Sequence, residues 1–318
     1  MKQIHRAVVA GAGTMGPGIA GSLALGGVRT TILSRQASSA AAGLELAQKQ
    51  LLQLEQNGIL SPEQSSKAIG LLEASHEFEA ALPGADLVIE SIPENMELKQ
   101  EWIARVEALV APDTWITSNT SGLSITVMSE KAAHPERIAT THFWNPAHLM
   151  PLVEVVRSPS TSSEVVEGLR ELLARCGKVP VVVHKDRPGQ LGNRMQMAMV
   201  REAVHIVAEG IASVEDVDLA ASLGFGLRLP AYGIFEHQDL VGITSFQVCD
   251  YVTRDLCNEP GAPPLYQSMY QNNALGAEPG KGFHDWSKKD PDAVRGRRDR
   301  WVREFLKGPF GATIRPKS

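Results

Sequence analysis

The run Ile4-His5-Arg6-Ala7-Val8-Val9-Ala10-Gly11-Ala12-Gly13-Thr14-Met15-Gly16, continuing through Pro17 to Leu25, decides the fold. A short apolar, β-branched segment enters a glycine-rich turn, and the turn opens a stretch with helical patterning. In that setting GxGxxG has physical meaning. Gly11 permits the tight turn, Gly13 lets the backbone approach a pyrophosphate, and Gly16 lets the helix pack closely on the sheet. Thr14 and Met15 complete the turn at a helix N-terminus, whose unpaired N–H groups face the anion. A glycine-rich turn can be only a turn, but its place within a βαβ pattern favours dinucleotide binding.

Outward from this run, short β-branched stretches alternate with helical ones, as in a parallel sheet built from βαβ units. Strands are predicted at Ile4–Ala10, Thr30–Leu33, Ala85–Glu90, Trp115–Ser118, Ile138–His142, Leu152–Val156 and Val179–His184. A long Ala/Leu/Gln/Glu segment from Ala37 to about Glu73 reads as helical, as do Leu98–Val110 and Ser163–Arg175, the last opened by a Ser cap. The polar junction Lys185-Asp186-Arg187-Pro188-Gly189 marks a domain boundary. Beyond it the pattern is helical at Leu191–Glu209, Val214–Leu223, Ile243–Leu256 and Ala293–Leu306. The fold class is therefore α/β: a Rossmann-type doubly wound sheet over residues 1–186, followed by a smaller all-α domain over residues 187–318.

The chain has 318 residues, 43 % of them hydrophobic and 21 % charged, which suits an ordinary soluble globular protein of two domains. A net charge of −5 supplies no global basic field, so neither nucleic acid nor a membrane surface is expected as partner. The basic cluster Arg295–Arg300 lies among Asp residues and reads as a solvated helix face. Apolar runs stop well short of the roughly 20 residues of a bilayer span. Met1-Lys2-Gln3 leads straight into strand-like sequence with no signal-peptide pattern, so a cytoplasmic location is expected. Cys176, Cys249 and Cys257 form no metal-spaced or disulfide-like set and read as reduced, mostly packing residues, and no metal site is expected.

An NAD-binding turn of this type calls for Asp or Glu at the end of the second strand, to bond the ribose 2′-hydroxyl. The chain offers Leu33-Ser34-Arg35-Gln36 there. Without the carboxylate nothing repels a 2′-phosphate, and Arg35 can pair with it, so the cofactor is NAD or NADP with NADP slightly favoured. A solvated Arg35 and a Ser34 that accepts either cofactor is the competing reading.

His142 and Glu154 stand twelve positions apart on neighbouring predicted strands. A His takes the proton of a hydroxyl as hydride leaves carbon, and a carboxylate on one ring nitrogen fixes the tautomer while the other faces substrate. A packed His beside an unrelated edge-strand Glu remains the alternative.

The wider context resembles the 3-hydroxyacyl-CoA dehydrogenase family over nearly the whole chain. The matching pieces are Gly11–Gly16, Glu90-Ser-Ile-Pro-Glu-Asn95 with Lys99, Ser118-Asn-Thr-Ser121, His142-Phe-Trp-Asn-Pro146, Pro151-Leu-Val-Glu-Val155, Asp186-Arg-Pro-Gly189 with Asn193, and Gly280-Lys-Gly-Phe283. The resemblance implies that His142 is the catalytic base, Glu154 its orienting carboxylate, and Ser121 and Asn193 the residues that bond the reacting oxygen. It places Glu94, Lys99, Asn119 and Asn145 near the cofactor, and it implies a helical domain that usually mediates a homodimer. On this reading the reaction transfers a hydride between the C3 hydroxyl of a 3-hydroxyacyl-CoA, or a related 3-hydroxy acid, and NAD(P).

The departures shape the substrate question. Ser34 replaces the usual Asp, Gly122 replaces the second Ser of Asn-Thr-Ser-Ser, and the segment from Ala47 to Asn57 carries only Lys49, with Lys67 farther on. A CoA nucleotide with its 3′-phosphate wants more positive charge than that. The same chemistry on a non-CoA substrate, carnitine-like, a sugar acid or a ring-bearing alcohol, is the alternative, with Arg228, Tyr232, His237 and Gln238 as candidates to read it. A dinucleotide-binding sensor without turnover is the alternative of another class, opposed by the joint presence of Ser121, His142, Glu154 and Asn193.

Overall fold

A computed structural model describes residues 2–242 and 246–308. β1 (Arg6–Ala10) passes through the glycine turn into α1 (Gly16–Leu25), and β2 (Arg29–Leu33) pairs with β1 in parallel. The single helical stretch expected from Ala37 to about Glu73 divides into α2 (Ala37–Gln56), α3 (Pro62–Ile69) and β3 (Leu72–Ser75). Local chemistry explains the division. Gly58 takes φ +68° just after α2, and Ser61-Pro62-Glu63-Gln64 restarts a helix through a capping box, Ser61 Oγ accepting from Gln64 N at 3.2 Å. Leu72 is buried, and β3 extends the sheet beside β2.

The chain continues through α4 (Phe78–Ala81), β4 (Leu87–Glu90), α5 (Met96–Glu107), β5 (Trp115–Ser118), α6 (Ile125–Met128), a 3-10 turn at Pro135–Arg137, β6 (Ile138–Phe143), β7 (Leu152–Arg157), α7 (Ser163–Arg175) and β8 (Val179–Val183). The eight strands lie in the order β3-β2-β1-β4-β5-β6-β7-β8. All neighbours are parallel except β6 and β7. Alternate side chains feed opposite faces. Ala7 and Val9 join Ile19, Leu23, Leu51 and Leu169 in one apolar cluster, and Val8 and Ala10 join Trp102, Ile103, Val106 and Met128 in another. Helices thus cover both faces, which is why the strands read as unbroken apolar runs. Ser162 Oγ caps α7 by accepting from Val165 N, as the Ser before its Glu-rich first turn predicts.

Beyond the sheet come α8 (Gly192–Ala208), α9 (Val214–Leu223), α10 (Phe225–Arg228), α11 (Ile234–Val241), α12 (Phe246–Thr253), α13 (Pro264–Gln271) and α14 (Pro291–Lys307). The start of the helix predicted at Ile243–Leu256, Ile243 to Ser245, lies outside the described residues. Sequence periodicity misses α10, α11 and α13, which are one or two turns long and set off by Gly224, Gly233 and Pro263. By packing, the chain separates into two compact units, one up to Asn193 together with residues from Asp299, the other Arg194–Arg298. Among the described residues of the second unit, only Val204 is buried. Of the cysteines, Cys176 is buried, but Cys249 is exposed and does not pack as expected. No described helix is long and apolar enough to cross a membrane.

Candidate active site

The glycine turn leaves space where a phosphate group needs it. Gly11 has φ +128°. A Cβ there would stand 2.3 Å from Ser91 O, and one on Gly16 would stand 1.7 Å from Gly11 O. At Gly13 nothing lies within 4 Å. The first turn of α1 has neither a side-chain cap nor an acid, so its N–H groups stay free for an anion. This cradle fits a dinucleotide, held by the backbone from Gly11 to Gly16. Ser34 follows β2 directly, its N–H donating to Ser75 O at 3.0 Å, and Arg35 beside it is exposed.

At the C-terminal ends of β4 and β5 the charged residues form a network around the buried Glu90 and Lys99. Lys99 Nζ bonds Glu90 Oε1 at 2.6 Å, Glu94 Oε2 at 3.2 Å and Ile92 O at 3.3 Å. Ser118 Oγ donates to the other Glu90 oxygen at 2.5 Å. Glu94 Oε1 accepts from Thr120 Oγ1 at 2.5 Å and from Ser121 N at 3.2 Å. Burial pushes the Glu94 carboxyl upward, but the Thr120 bond, the charge and bond of Lys99 and the Ser121 amide outweigh it and hold it below the ordinary range. Lys99 is only 1 % exposed. Its amine is bonded within the protein, and the Glu94 it holds has its other side open to solvent.

The pairing of His142 with Glu154 follows from register. β6 and β7 pair antiparallel with His142 directly opposite Glu154, so both side chains leave the same face. Glu154 Oε2 accepts from His142 Nδ1 at 2.6 Å and from Trp144 Nε1 at 3.3 Å. Its Oε1 accepts from the backbone N–H of Leu191 at 3.0 Å and Gly192 at 2.8 Å, where α8 begins. Burial would raise this carboxyl, yet the His142 bond, the two amides and the His142 charge leave it below the usual range. Glu154 stays ionised, and it fixes the proton on Nδ1. His142 Nε2, without a hydrogen-bond partner among the described residues, is then free to accept one from a substrate hydroxyl.

The two oxygen-binding candidates are also brought together, since Asn193 Nδ2 donates to Ser121 O at 2.8 Å. Gln190, buried and at φ +54°, donates from Nε2 to Thr120 O at 2.9 Å and ties the same loop. Asn119 Oδ1 accepts from Phe143 N at 2.8 Å, holding the end of β6. Asn145 is exposed, before a cis bond to Pro146. The connection that follows is clamped by Lys178, whose buried amine donates to Ala147 O and Met150 O. Trp144, Gln190, Lys178 and the Leu191 and Gly192 amides were not singled out from sequence. Backbone amides and long-range partners leave no spacing to read, although the Trp within His-Phe-Trp-Asn-Pro was a visible donor. In the second unit Arg228 Nη2 lies 3.3 Å from His237 Nε2, and Tyr232 stacks on the same ring at 5.4 Å.

Comparisons with known proteins identify the family. The NAD-binding domain of 3-hydroxyacyl-CoA dehydrogenase matches residues 6–187, and the C-terminal domain of the same enzyme matches residues 189–286. The 5-formyl-3-hydroxy-2-methylpyridine 4-carboxylate 5-dehydrogenase of Mesorhizobium japonicum is 32 % identical, over 96 % of this chain and 99 % of its own. A probable 3-hydroxybutyryl-CoA dehydrogenase of Bacillus subtilis is 33 % identical, over 90 % and 99 %. The crystal structure of a 5-dehydrogenase acting on the same pyridine carboxylate, described as an NAD+-dependent dismutase, superposes with a TM-score of 0.87 at 31 % identity, covering 95 % of this chain and 97 % of that one. The chain belongs to the 3-hydroxyacyl-CoA dehydrogenase family, as an oxidoreductase with an N-terminal NAD-binding domain.

Proposed function

We propose that this protein transfers a hydride between a CH–OH carbon of a ring-bearing, non-CoA substrate and NAD, with His142 as base. The observation that carries the chemistry is the buried His142–Glu154 pair, with Nε2 left free. Bound in the cradle, NAD supplies the hydride acceptor. Ser121 and Asn193 hold the reacting oxygen. His142 Nε2 takes the hydroxyl proton as the C–H bond gives up its hydride, and Glu154 stabilises the resulting imidazolium. A formyl group serves equally once hydrated, because its geminal diol is also a CH–OH. Oxidation of that diol leaves a carboxylic acid, whereas reduction of the unhydrated aldehyde to an alcohol is the reverse of the alcohol oxidation.

The substrate class rests on two observations. The helices α2 and α3 offer Lys49 and Lys67 as their only lysines, little positive charge for a phosphorylated nucleotide. The pyridine-carboxylate dehydrogenase also matches over nearly its full length. A 3-hydroxyacyl-CoA is the second reading, favoured by the match to the Bacillus subtilis relative. Ser34 and Arg35 support use of NADP as well, since no acid ends β2. A homodimer built through the helical unit accounts for its exposed Phe235, Leu240 and Tyr251.

Initial rates on formyl- and hydroxymethyl-substituted ring carboxylates and on 3-hydroxybutyryl-CoA, each with NAD and NADP, test the proposal. Turnover of the ring compounds alone is the expected result. A rate confined to the CoA thioester would replace the substrate class with the second reading, and cofactor binding without turnover of any compound would leave a sensor.

A further inference from the structure

Trp144 meets every part of the base assembly. Its indole Nε1 reaches Glu154 Oε2 at 3.3 Å, the same oxygen that bonds His142. Its ring lies 5.6 Å from the His142 ring, tilted at 47°. Its six-membered edge fills the space a side chain at position 192 would need, for a Cβ on Gly192 would stand 2.3 Å from Trp144 Cζ2. The indole is therefore wedged between the catalytic ring and the first turn of α8, and that wedge aims its N–H at the carboxylate. No step in the hydride transfer itself requires this donor.

Resting on the reading of His142 as base, we propose that Trp144 is a positioning residue whose N–H shares the Glu154 carboxylate with His142 and so sets the pH range in which the pair works. The carboxylate stabilises the imidazolium through Oε2. A second donor on that oxygen draws off part of its negative charge, so the imidazolium is held less strongly and the base is free at lower pH. The other groups around the pair leave the indole in control. Oε1 is taken by the Leu191 and Gly192 amides from α8. Lys178, at the head of β8, is spent on the Ala147 and Met150 carbonyls, and Asp186, beyond β8, accepts from Ser124 Oγ and Thr126 N. Glu94, Lys99 and Glu90 bind one another. Among the described residues the one ionisable side chain bonded to Glu154 is His142.

Trp144→Phe keeps an aromatic ring and removes the donor. In the oxidative direction the acid limb of kcat/KM should move to higher pH by about 0.5 to 1 unit, the size expected for one long charge-assisted hydrogen bond. A purely structural role would lower the plateau or raise KM and leave the limb in place, which would overturn the proposal. A measurement on the unmodified protein covers the case in which the variant does not fold. With the five tryptophans labelled at the indole nitrogen, one N–H resonance should titrate together with the acid limb; if none does, the proposal is wrong. His142→Ala separates the two levels. Full turnover in that variant removes the base itself, whereas lost turnover there with an unmoved limb in Trp144→Phe removes only the role of the indole.

Discussion

The two compact units are built on opposite terms. All six residues of β6 are buried, and the strand carries His142; in Arg194–Arg298 the only buried described residue is Val204, while Phe235, Leu240, Tyr251 and Tyr270 are each at least three-quarters exposed. The sheet unit closes its own core from both faces and can hold a 2.6 Å bond between two ionisable side chains in fixed geometry. Among its described residues the helical unit leaves most large apolar side chains exposed. The difference teaches where precision and assembly reside. Close side-chain geometry is found where packing is complete, and the large exposed apolar side chains are found where it is not.

That contrast can be broken at its strongest point first. His142→Ala is expected to fold, to keep its affinity for NAD and to lose about 10²- to 10⁴-fold in kcat, the usual contribution of a positioned base. Stopped-flow turnover and a cofactor titration check both halves, and an active variant would separate the well-packed site from the chemistry.

The open unit is tested by charge. Phe235→Glu with Tyr251→Glu should weaken self-association on the order of tenfold or more, as expected when buried aromatic anchors of an interface are lost. Sedimentation velocity across a dilution series reads this directly. Unmodified protein that stays monomeric throughout would remove the homodimer.

The smallest expected effect is a pH dependence arising in the sheet unit. Burial lowers Lys178 from 10.5 to about 8, with its amine bonded to two carbonyls and the nearby Cys176 opposing the shift. Between those values the unfolded chain binds more protons than the folded one, so stability rises with pH. Cys176, which burial pushes up from 9.0 to about 12, acts in the opposite direction above pH 9. Stability should therefore rise by up to about 1 kcal/mol between pH 8 and 9 and flatten above that. Urea midpoints measure the rise, and Lys178→Met should abolish it; a rise that survives would place its origin in some other group.

Much of the sheet unit was legible because its signals are local. The glycine turn, the Ser cap of α7 and the strands Trp115–Ser118 and Leu152–Val156 depend on residues close in sequence. The helical reading of Ala37 to Glu73 failed for an instructive reason: Asn57-Gly58 and Ser61 to Gln64 punctuate it, and Leu72 enters a strand only because β2 offers an open edge. In the helical unit α10, α11 and α13 span at most eight residues, too few for periodicity to separate them from turns.

For the site, the sequence by itself determined the residue types: a phosphate-binding turn with Gly11, Gly13 and Gly16, and a His and a Glu at a spacing that adjacent strands can pair. Only the tertiary structure decided which atoms meet. The antiparallel register set His142 opposite Glu154. Burial and an ion pair set Lys99 against Glu94. Packing against Gly192 gave Trp144 a share of the Glu154 carboxylate. Backbone preferences and turn chemistry act over a few residues and so remain visible in the sequence. Hydrogen-bond partners and burial depend on segments far apart along the chain, which share a surface only once the sheet has formed.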